Sequence, residues 1–340
     1  MIMKKNDVVG LGNTLMDFLV DVDDDHLLEF DLKKGEMHLV DEKKAKEILQ
    51  QLDDSSLKME LVPGGSAANT LKGVAFLGGG AILCGKVGKD KEGMIYVREM
   101  EKLGVKARIK EHTTFGTGHA VTFITPDAQR TFSVHLGAAI HLMREDVLEE
   151  DIASSKVLHL EGYQLEGDTK ETVLHAIALA QKHGTLVSLD LADPGVVRRN
   201  KIFLDRLVRD SVDILFVNEE EAQAFTGLKE EEAVHALGEL VTIAVVKIGK
   251  RGSFVCCEGK VVFVEAFPAK AIDTTGAGDS YAAGFLYGYC CGWNALKSGR
   301  LGSLLAARVV EQKGVRLEKL DATELKEEVE SFVENTGRMT

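Results

Sequence analysis

The sequence predicts an α/β protein in which helices cover both faces of a mostly parallel sheet. Short apolar segments of strand type alternate with longer stretches of helical periodicity, such as TKETVLHAIALAQKHG. This alternation is typical of strand–helix–strand units, whose parallel strands are buried on both faces. In such sheets ligands bind at the carboxyl ends of the strands, so the residues after each strand are the first candidates for a site. The predicted strands are DVVGLG (7–12), AILCGK (81–86), KVLHLEG (156–162), LVSLDLA (186–192), DILFVN (213–218) and IAVVKIG (243–249).

Two segments interrupt this alternation. Residues 15–40 contain MDFLVDV and KGEMHLVD, and residues 107–137 contain strand-type runs joined by the turn sequence TPDAQ. We expect these segments to form a small β layer, a lid, added to one domain that spans residues 1–340. The four prolines leave no proline-rich linker that would divide the chain.

The composition argues against several classes of protein. A net charge of −13 and the lack of a basic stripe argue against nucleic-acid binding. No apolar run approaches the length of about 18 residues that a membrane span requires. The five cysteines form no C-x-x-C pair and lie in apolar runs, so we expect reduced core residues and a cytoplasmic location. A monomer and a homodimer both remain open.

One glycine-rich stretch, GGGAILCGKVG (78–88), has the spacing of a phosphate-binding P-loop. It supplies Gly80, Gly85 and Lys86, but Val87 stands where the motif needs a hydroxyl group for Mg²⁺. The intervening AILC also predicts a buried strand instead of an exposed loop. We therefore expect no P-loop here.

Polar residues follow the first predicted strand in DVVGLGNTLMD. Gly10 and Gly12 begin a dinucleotide-binding fingerprint, but Leu15 occupies its third glycine position, so that fingerprint is incomplete. Asn13 and Asp17 lie just beyond the buried strand. Their side chains are candidates both for capping a turn and for binding a ligand.

The stretch LVPGGSAANTLKG places two glycines before a predicted helix. One interpretation is a glycine turn with Ser66 as the helix N-cap. The other is a polar ligand site, because Gly64 and Gly65 let a ligand approach the backbone and Asn69 offers a donor and an acceptor.

Two further candidates follow the last predicted strands. In NEEE, Asn218 and Glu221 lie three apart on one helix face, a pattern that suits second-shell or water-mediated Mg²⁺ binding, although consecutive glutamates are also typical of a solvated helix face. In KIGKRGS, Gly249 and Gly252 suit either a hairpin turn or a bare backbone surface for a nucleotide.

The stretch DTTGAGDS carries the most specific chemistry. The N–H groups of Gly276, Ala277, Gly278 and Asp279 at a helix N-terminus would form an anion site for a transferring phosphoryl group. Asp279 would accept the proton of an attacking hydroxyl group. An ordinary acidic first turn would account for the carboxylate but not for two glycines in three positions.

Together these segments resemble the PfkB/ribokinase family of ATP-dependent carbohydrate and nucleoside kinases. The resemblance runs through nearly the whole chain, and its most specific parts are PGGSAANTLKGVAFLGGG and DTTGAGDS. It implies a ribokinase-like three-layer α/β/α fold with a small β lid, ATP and Mg²⁺ as cofactors, and Asp279 as the catalytic base. Asn218 and Glu221 would organise Mg²⁺ and phosphates. Lys247, where a threonine is common in the family, would contact the nucleotide together with Gly249 and Gly252.

The resemblance assigns further residues around this centre. Arg130 matches an arginine of the lid that reaches the phosphates on closure in several members. Asp273 and Thr275 match positions whose oxygens help to bind a monovalent cation, usually K⁺. Asp190 matches a polar position at a strand end.

The substrate prediction depends on the spacing in GLGNTLMD. Asparagine and aspartate four apart resemble the adenosine kinase-like members, and this implies that Asn13, Asp17, Gly65 and Asn69 bind ribose hydroxyls. We expect transfer of a phosphoryl group to the primary hydroxyl of a nucleoside, with adenosine first. The alternatives are a sugar kinase of ribokinase or fructokinase type, a ligand-binding regulator on the same scaffold, and a Rossmann oxidoreductase.

Overall fold

A computed structural model describes residues 3–55, 57–127 and 129–337 of the protein. The strands, in chain order, are β1 (Asn6–Leu11), β2 (Leu15–Asp21), β3 (Met37–Leu39), β4 (Met59–Pro63), β5 (Ala81–Gly88), β6 (Val105–His112), β7 (Gly118–Ile124), β8 (Arg130–His135), β9 (Ser155–Glu161), β10 (Leu186–Asp190), β11 (Ile214–Asn218), β12 (Ile243–Lys247), β13 (Ser253–Cys257) and β14 (Lys260–Val264). The helices are α1 (Asp24–Glu29), α2 (Glu42–Asp54), α3 (Ser66–Phe76), α4 (Lys91–Lys102), α5 (Glu149–Ala153), α6 (Thr169–His183), α7 (Pro194–Ser211), α8 (Glu219–Thr226), α9 (Glu230–Gly238), α10 (Ala277–Cys290), α11 (Ala295–Val309) and α12 (Ala322–Gly337). Short 3₁₀ segments span Gly137–His141, Arg144–Asp146, Gly162–Leu165 and Gly249–Arg251.

The larger sheet has the strand order β14-β13-β12-β11-β10-β9-β1-β5-β6. Its strands run parallel from β12 to β6, and β13 and β14 add an antiparallel hairpin at one edge. All six strands that the sequence predicted lie in the parallel part. They are apolar because both of their faces are covered; in β5 all eight residues are buried.

Helices on both faces complete the three layers. Neighbouring residues of β1 point into different cores, because successive side chains of a strand alternate between the faces of the sheet. Val8 belongs to the core that includes residues of α3, α4, α10, α11 and α12 on one face. Val9 belongs to the core on the other face, which includes residues of α5 to α9. The predicted three-layer α/β/α arrangement is confirmed.

The second sheet has the order β3-β8-β7-β2-β4. It contains the predicted strand segments of residues 15–40 and those between 118 and 135. Residues 107–112, which we expected in this layer, instead belong to β6, and β6 pairs in parallel with β5 at the edge of the larger sheet. That pairing extends along the whole of β6, which places these residues at the edge of the larger sheet. The sequence analysis also missed β4, which pairs with β2.

The helix that follows DTTGAG is glycine- and alanine-rich because its neighbours approach it closely. A Cβ atom added to Gly284 of α10 would lie 2.7 Å from the backbone of Gly302 in α11. A Cβ atom added to Gly73 of α3 would lie 2.5 Å from Cβ of Ala283 in α10. Small residues therefore allow α10 to pack tightly between α3 and α11, which fixes the position of its N-terminus.

Two sequence-level expectations concern features away from the site. In the described part of the chain, no helix combines the length and the apolar character needed to cross a membrane. The cysteines are free, and Cys84 and Cys256 are buried as expected. Cys291 differs from the expectation because it lies just beyond the end of α10 and is exposed.

Candidate active site

Neighbouring strands of the larger sheet bring polar residues to one edge. Glu161, the last residue of β9, lies directly opposite Asp190, the last residue of β10. Asn218 at the end of β11 lies opposite Lys247 at the end of β12. This edge is the carboxyl edge where the sequence analysis placed the site.

Asp279 lies in the first turn of α10 and faces α3. Its Oδ1 accepts a hydrogen bond from Oγ of Ser66 at 2.8 Å, and its Oδ2 accepts one from Nδ2 of Asn69 at 2.9 Å. Burial raises the pKa of Asp279 to about 6, although the two hydrogen bonds act in the opposite direction. A carboxylate held in this way is ionised near neutral pH and basic enough to take up a proton.

The N-terminus of α10 has the geometry of an anion site. Gly276 has φ 72°, a conformation that suits glycine and turns the chain into the helix. The N–H group of Ala277, which we expected in the anion hole, donates instead to the carbonyl of Thr274 at 3.2 Å. Among the described residues, the N–H groups of Gly278 and Asp279 have no hydrogen-bond acceptor. These two groups are therefore the ones that the helix offers to an anion.

The two glycines before α3 contact the polar residues after β1. A Cβ atom on Gly64 would lie 2.2 Å from Oδ2 of Asp17, and one on Gly65 would lie 2.1 Å from the carbonyl oxygen of Asn13. Gly65 has φ 94°, so side chains are disfavoured there on two grounds. The structure thus brings the predicted substrate residues together, and Asn69 joins them to Asp279.

Burial, with smaller contributions from the nearby carboxylates of Asp279 and Asp273, raises the pKa of the Asp17 carboxyl to about 7 against the opposing effect of Lys72. Lys72 is itself buried, and its Nζ donates to the carbonyl of Pro63 at 2.7 Å. Burial lowers the pKa of Lys72 to about 8. Because its pKa is lowered, the ammonium group of Lys72 offsets only part of the negative charge of Asp17 and Asp279.

Asn218 and Glu221 form a reciprocal capping box at the start of α8. The N–H group of Glu221 donates to Oδ1 of Asn218 at 2.9 Å, and Oε2 of Glu221 accepts from the N–H group of Asn218 at 2.8 Å. Oε1 of Glu221 accepts from Nδ2 of Asn218 at 2.5 Å. Glu221 is buried, unlike the solvated glutamate of the alternative interpretation. Its two oxygens are occupied within the box, so any role toward a metal would pass through water.

Lys247 directs its ammonium group toward the start of α10. Its Nζ donates to Oδ2 of Asp190 at 2.7 Å. The same atom lies 3.1 Å from the position of a Cβ atom on Gly278. The carboxylates of Asp190, Glu221 and Asp279 together raise the pKa of Lys247 against the opposing effect of burial, which is the largest single influence. A persistent positive charge therefore lies beside the anion site.

Gly249 and Gly252 lie in the turn that connects β12 to β13. A Cβ atom on Gly252 would lie 2.1 Å from the carbonyl oxygen of Val264, so the hairpin itself requires this glycine. Gly249 has φ 59° and open space around it. The hairpin interpretation accounts for Gly252, and the nucleotide contact of both glycines stays a prediction.

Arg130, the first residue of β8, contacts the loop before α10. Its Nε lies 2.7 Å from Oδ1 of Asp273. The N–H group of Thr275 also donates to Oδ1 of Asp273 at 2.7 Å, and that of Gly314 donates to Oδ2 at 2.6 Å. Three N–H donors thus meet the carboxylate that the resemblance assigned to a monovalent cation.

Comparison with known proteins assigns the family. A family model described as pfkB family carbohydrate kinase matches residues 36–322, most of the chain. The chain belongs to the pfkB family. It is therefore a kinase, and ATP is the phosphate donor that its family implies.

The relatives of this pfkB-family kinase include enzymes named for different acceptors. Over 331 residues it is 29% identical to an adenosine kinase of Saccharomyces cerevisiae, covering 90% of this chain and 95% of the relative. Over 292 residues it is 30% identical to a 5-dehydro-2-deoxygluconokinase of Clostridium perfringens, covering 81% and 86%. The crystal structure of adenosine kinase from Sinorhizobium meliloti superposes with a TM-score of 0.87 at 33% identity, covering 95% and 99%. The predicted ribokinase-like fold is confirmed, and the acceptor is a small sugar or nucleoside.

The P-loop-like stretch of this pfkB-family kinase lies in a strand, as expected. Lys86 lies in β5, with Nζ 2.6 Å from Oδ2 of Asp146 and 2.9 Å from the carbonyl of His141. Its ammonium group stabilises the packing of the segment after β8. Residues 81–88 form a fully buried strand, so the exposed loop that a P-loop needs between Gly80 and Gly85 does not form.

Sequence reasoning missed Glu161. This buried carboxylate accepts hydrogen bonds from the N–H groups of Asn13 at 3.2 Å and Ala67 at 3.0 Å. Burial raises its pKa to about 7. Glu161 thus joins the segment after β1 to the start of α3. The signal was present in the sequence, because a glutamate that ends an otherwise apolar strand is costly to bury without a role.

The raised pKa of Asp17 predicts a dependence of stability on pH. An unfolded aspartate has a pKa of about 3.9, so the neutral carboxyl favours the folded kinase below that pH, and this contribution is lost as the pH rises toward 7. We expect Asp17→Asn to raise Tm by roughly 5 °C at pH 8 and by much less at pH 5. Thermal unfolding at pH 5 and pH 8 measures the two changes in Tm. Asp53→Asn, on the exposed surface of α2, is the control. Equal shifts at the two pH values would contradict it.

Proposed function

We propose that this pfkB-family kinase transfers the γ-phosphate of ATP to a primary hydroxyl group of a nucleoside, with adenosine as the first candidate. The observation that carries the proposal is the position of Asp279. Its carboxylate is held by Ser66 and Asn69 between the Asn13–Asp17 segment and the N-terminus of α10. A base thus lies between a polar pocket for the acceptor and an anion site for the phosphate.

This geometry suggests how the proton and the phosphoryl group are transferred. Asp279 accepts the proton of the acceptor hydroxyl while its oxygen bonds to the γ-phosphorus, and the bond from that phosphorus to the bridging oxygen breaks to release ADP. The N–H groups of Gly278 and Asp279 and the ammonium group of Lys247 stabilise the charge on the transferring group. Gly276 contributes by setting the direction of the helix N-terminus, and Gly249 with Gly252 borders the nucleotide.

The resident metal of this site would be Mg²⁺, which neutralises phosphate charge when it is bound to ATP. In the part of the chain that the structure describes, no group of three or more His, Cys, Asp or Glu side chains has the arrangement of a metal site. Such a closed set is not needed, because Mg²⁺ usually keeps several waters and binds chiefly through substrate phosphates. Asn218 and Glu221 would orient those waters.

The acceptor side supports a nucleoside. Asp17 and Asn13 surround the Gly64–Gly65 turn, and two carboxylate oxygens suit a vicinal diol such as the 2′- and 3′-hydroxyls of ribose. We propose that the second sheet acts as the lid over this pocket and excludes water, which would compete as an acceptor. The reaction then takes place in the cytoplasm, where ATP is regenerated.

A sugar kinase of ribokinase or fructokinase type is the second candidate. The 30% identity to a 5-dehydro-2-deoxygluconokinase favours it, and the same Asn13, Asp17 and Asn69 would bind sugar hydroxyls equally well. The two candidates share the phosphate chemistry and differ only in the acceptor.

A panel of acceptors separates the candidates. Coupled ADP release is measured with adenosine, 2′-deoxyadenosine, guanosine, ribose, fructose and 5-dehydro-2-deoxygluconate. We expect the largest kcat/KM with adenosine, and a loss of about 100-fold with 2′-deoxyadenosine, because Asp17 is then left with an unpaired oxygen. A larger kcat/KM with a sugar would overturn the nucleoside assignment. Tight ligand binding without turnover of any acceptor would favour a regulatory protein.

A further inference from the structure

The carboxylate of Asp273 has a set of partners that does not fit a monovalent cation. Oδ1 faces Nε of Arg130 and the N–H group of Thr275, and Oδ2 faces the N–H group of Gly314, all within 2.7 Å. A hard cation such as K⁺ is bound by oxygen atoms, and N–H donors compete with it for those oxygens. The side chain of Asp273 is also 1% exposed and that of Arg130 8% exposed, so the pair is closed to solvent.

We infer that the guanidinium group of Arg130 replaces the monovalent cation in this kinase, so that its activity does not depend on K⁺. The inference rests on the proposed function, because it assigns the source of positive charge beside the phosphate site. A buried carboxylate requires a positive partner, and Arg130 meets that requirement from within the chain. The charge is permanent, since arginine stays protonated.

The arrangement also joins two parts of the fold. Arg130 begins β8 in the second sheet, whereas Asp273 precedes the turn into α10. Through Thr275, the carboxylate contacts the loop that sets the direction of the anion site. A K⁺ ion bound by this loop alone would not make this particular connection between the loop and β8. The arginine therefore positions the loop and holds the second sheet over the site at the same time.

The remaining guanidinium nitrogens fit this interpretation. Nη1 and Nη2 of Arg130 are buried, and they have no hydrogen-bond partner among the residues that the structure describes. Oγ1 of Thr275 is also buried without a partner in the described part of the chain, but it is a single oxygen beside a carboxylate that N–H donors already occupy. A cavity of about 490 Å³ adjoins them, lined by Gly35, Gln129, Arg130, Phe132, Thr274 and Thr275. Among the guanidinium nitrogens, Nε makes the contact with Asp273, and Nη1 and Nη2 lie enclosed beside it.

The test compares K⁺ with choline at equal ionic strength. Turnover and Tm are measured in about 0.1 M KCl and in about 0.1 M choline chloride. We expect the wild-type kinase to show the same turnover and the same Tm in both salts. We expect Arg130→Ala to lose at least tenfold in turnover in choline and to regain most of it in KCl, because the vacated space exposes Asp273 to the ion. Its Tm should likewise rise by several degrees in KCl.

Two further variants make the result specific. The double variant Arg130→Ala/Asp273→Asn should show no response to K⁺, and Arg199→Ala on the surface should behave as the wild type does. If Arg130→Ala does not fold, Arg130→Met keeps most of the side-chain packing and takes its place. Activation of the wild type by K⁺, or an Arg130 variant that K⁺ neither activates nor stabilises, would overturn the inference. The Tm measurements test the replacement of K⁺ by Arg130 even if none of the acceptors is phosphorylated. A failure of this inference can therefore be distinguished from a failure of the proposed function.

Discussion

Replacement of Asp279 by asparagine is expected to lower kcat by about 10³-fold while the dissociation constants for ATP and adenosine change little. An asparagine keeps both local contacts, because its carbonyl accepts from Asn69 and its amide donates to Ser66. It has no basic oxygen to take up the proton of the acceptor. Steady-state ADP release gives kcat, and titration calorimetry gives the two dissociation constants.

The pH profile adds an independent measure of the same role. Because burial raises the pKa of Asp279 to about 6, kcat/KM of the wild type should fall below that pH, as the base becomes protonated. The Asp279→Asn variant should lack this acid limb. Asp321→Asn, which changes an exposed carboxylate just before α12, serves as the matched control and should keep the wild-type profile. A kcat within tenfold of the wild type for Asp279→Asn would exclude Asp279 as the base.

Replacement of Lys247 by methionine is expected to raise KM for ATP and to lower kcat by about 100-fold. The methionine side chain has nearly the same length, so packing is largely kept, but the positive charge beside Gly278 is lost. The affinities of the variant for ADP, AMP and a non-hydrolysable ATP analogue should show which phosphate group Lys247 contacts. If Nζ contacts the transferring phosphoryl group, the affinity for a non-hydrolysable ATP analogue falls more than that for ADP, and AMP binding hardly changes.

Loss of Lys247 also leaves Asp190 as a buried carboxylate without its ion partner, which is destabilising in itself. The double variant Asp190→Asn/Lys247→Met separates the two effects. If the lysine served only to pair with Asp190, the double variant would recover turnover, and that outcome would refute a phosphate role. Lys260→Met on the exposed side of β14 is the control for loss of a lysine charge.

The sequence was sufficient for the six inner parallel strands of the larger sheet because they are buried on both faces and therefore form continuous apolar runs. AILCGKVG shows this, since every residue of β5 is buried. Two edge strands, β4 of the second sheet and β6 of the larger sheet, were harder to predict. β4 has two exposed residues in its centre, so its pattern resembles a loop, and β6 has the mixed pattern of an edge strand. Their assignment depends on which neighbour they pair with, which local patterns do not specify.

Within the candidate site, sequence reasoning located residues but not their partners. Asp279 and Asn69 were both singled out, yet the hydrogen bond between them joins positions 210 residues apart. Glu161 was missed although it ends an apolar strand, whereas the burial of Lys72 is recognised only once its surroundings are known. Asn218 and Glu221 show the reverse case: three consecutive glutamates suggested a solvated face, but Glu221 is buried in the first turn of α8, where it closes a capping box with Asn218.

The separation of these partners along the chain has a consequence for folding. Ser66 and Asp279 are 213 residues apart, and Asn13 and Glu161 are 148 apart, so few of the contacts at the site are local. Folds dominated by distant contacts form slowly, and this site requires β1, α3, β9 and α10 to be assembled together. A nascent chain that still lacks α10 has neither the proposed base nor the proposed phosphate site. We therefore expect ATP to bind and stabilise the finished kinase without stabilising its unfinished forms.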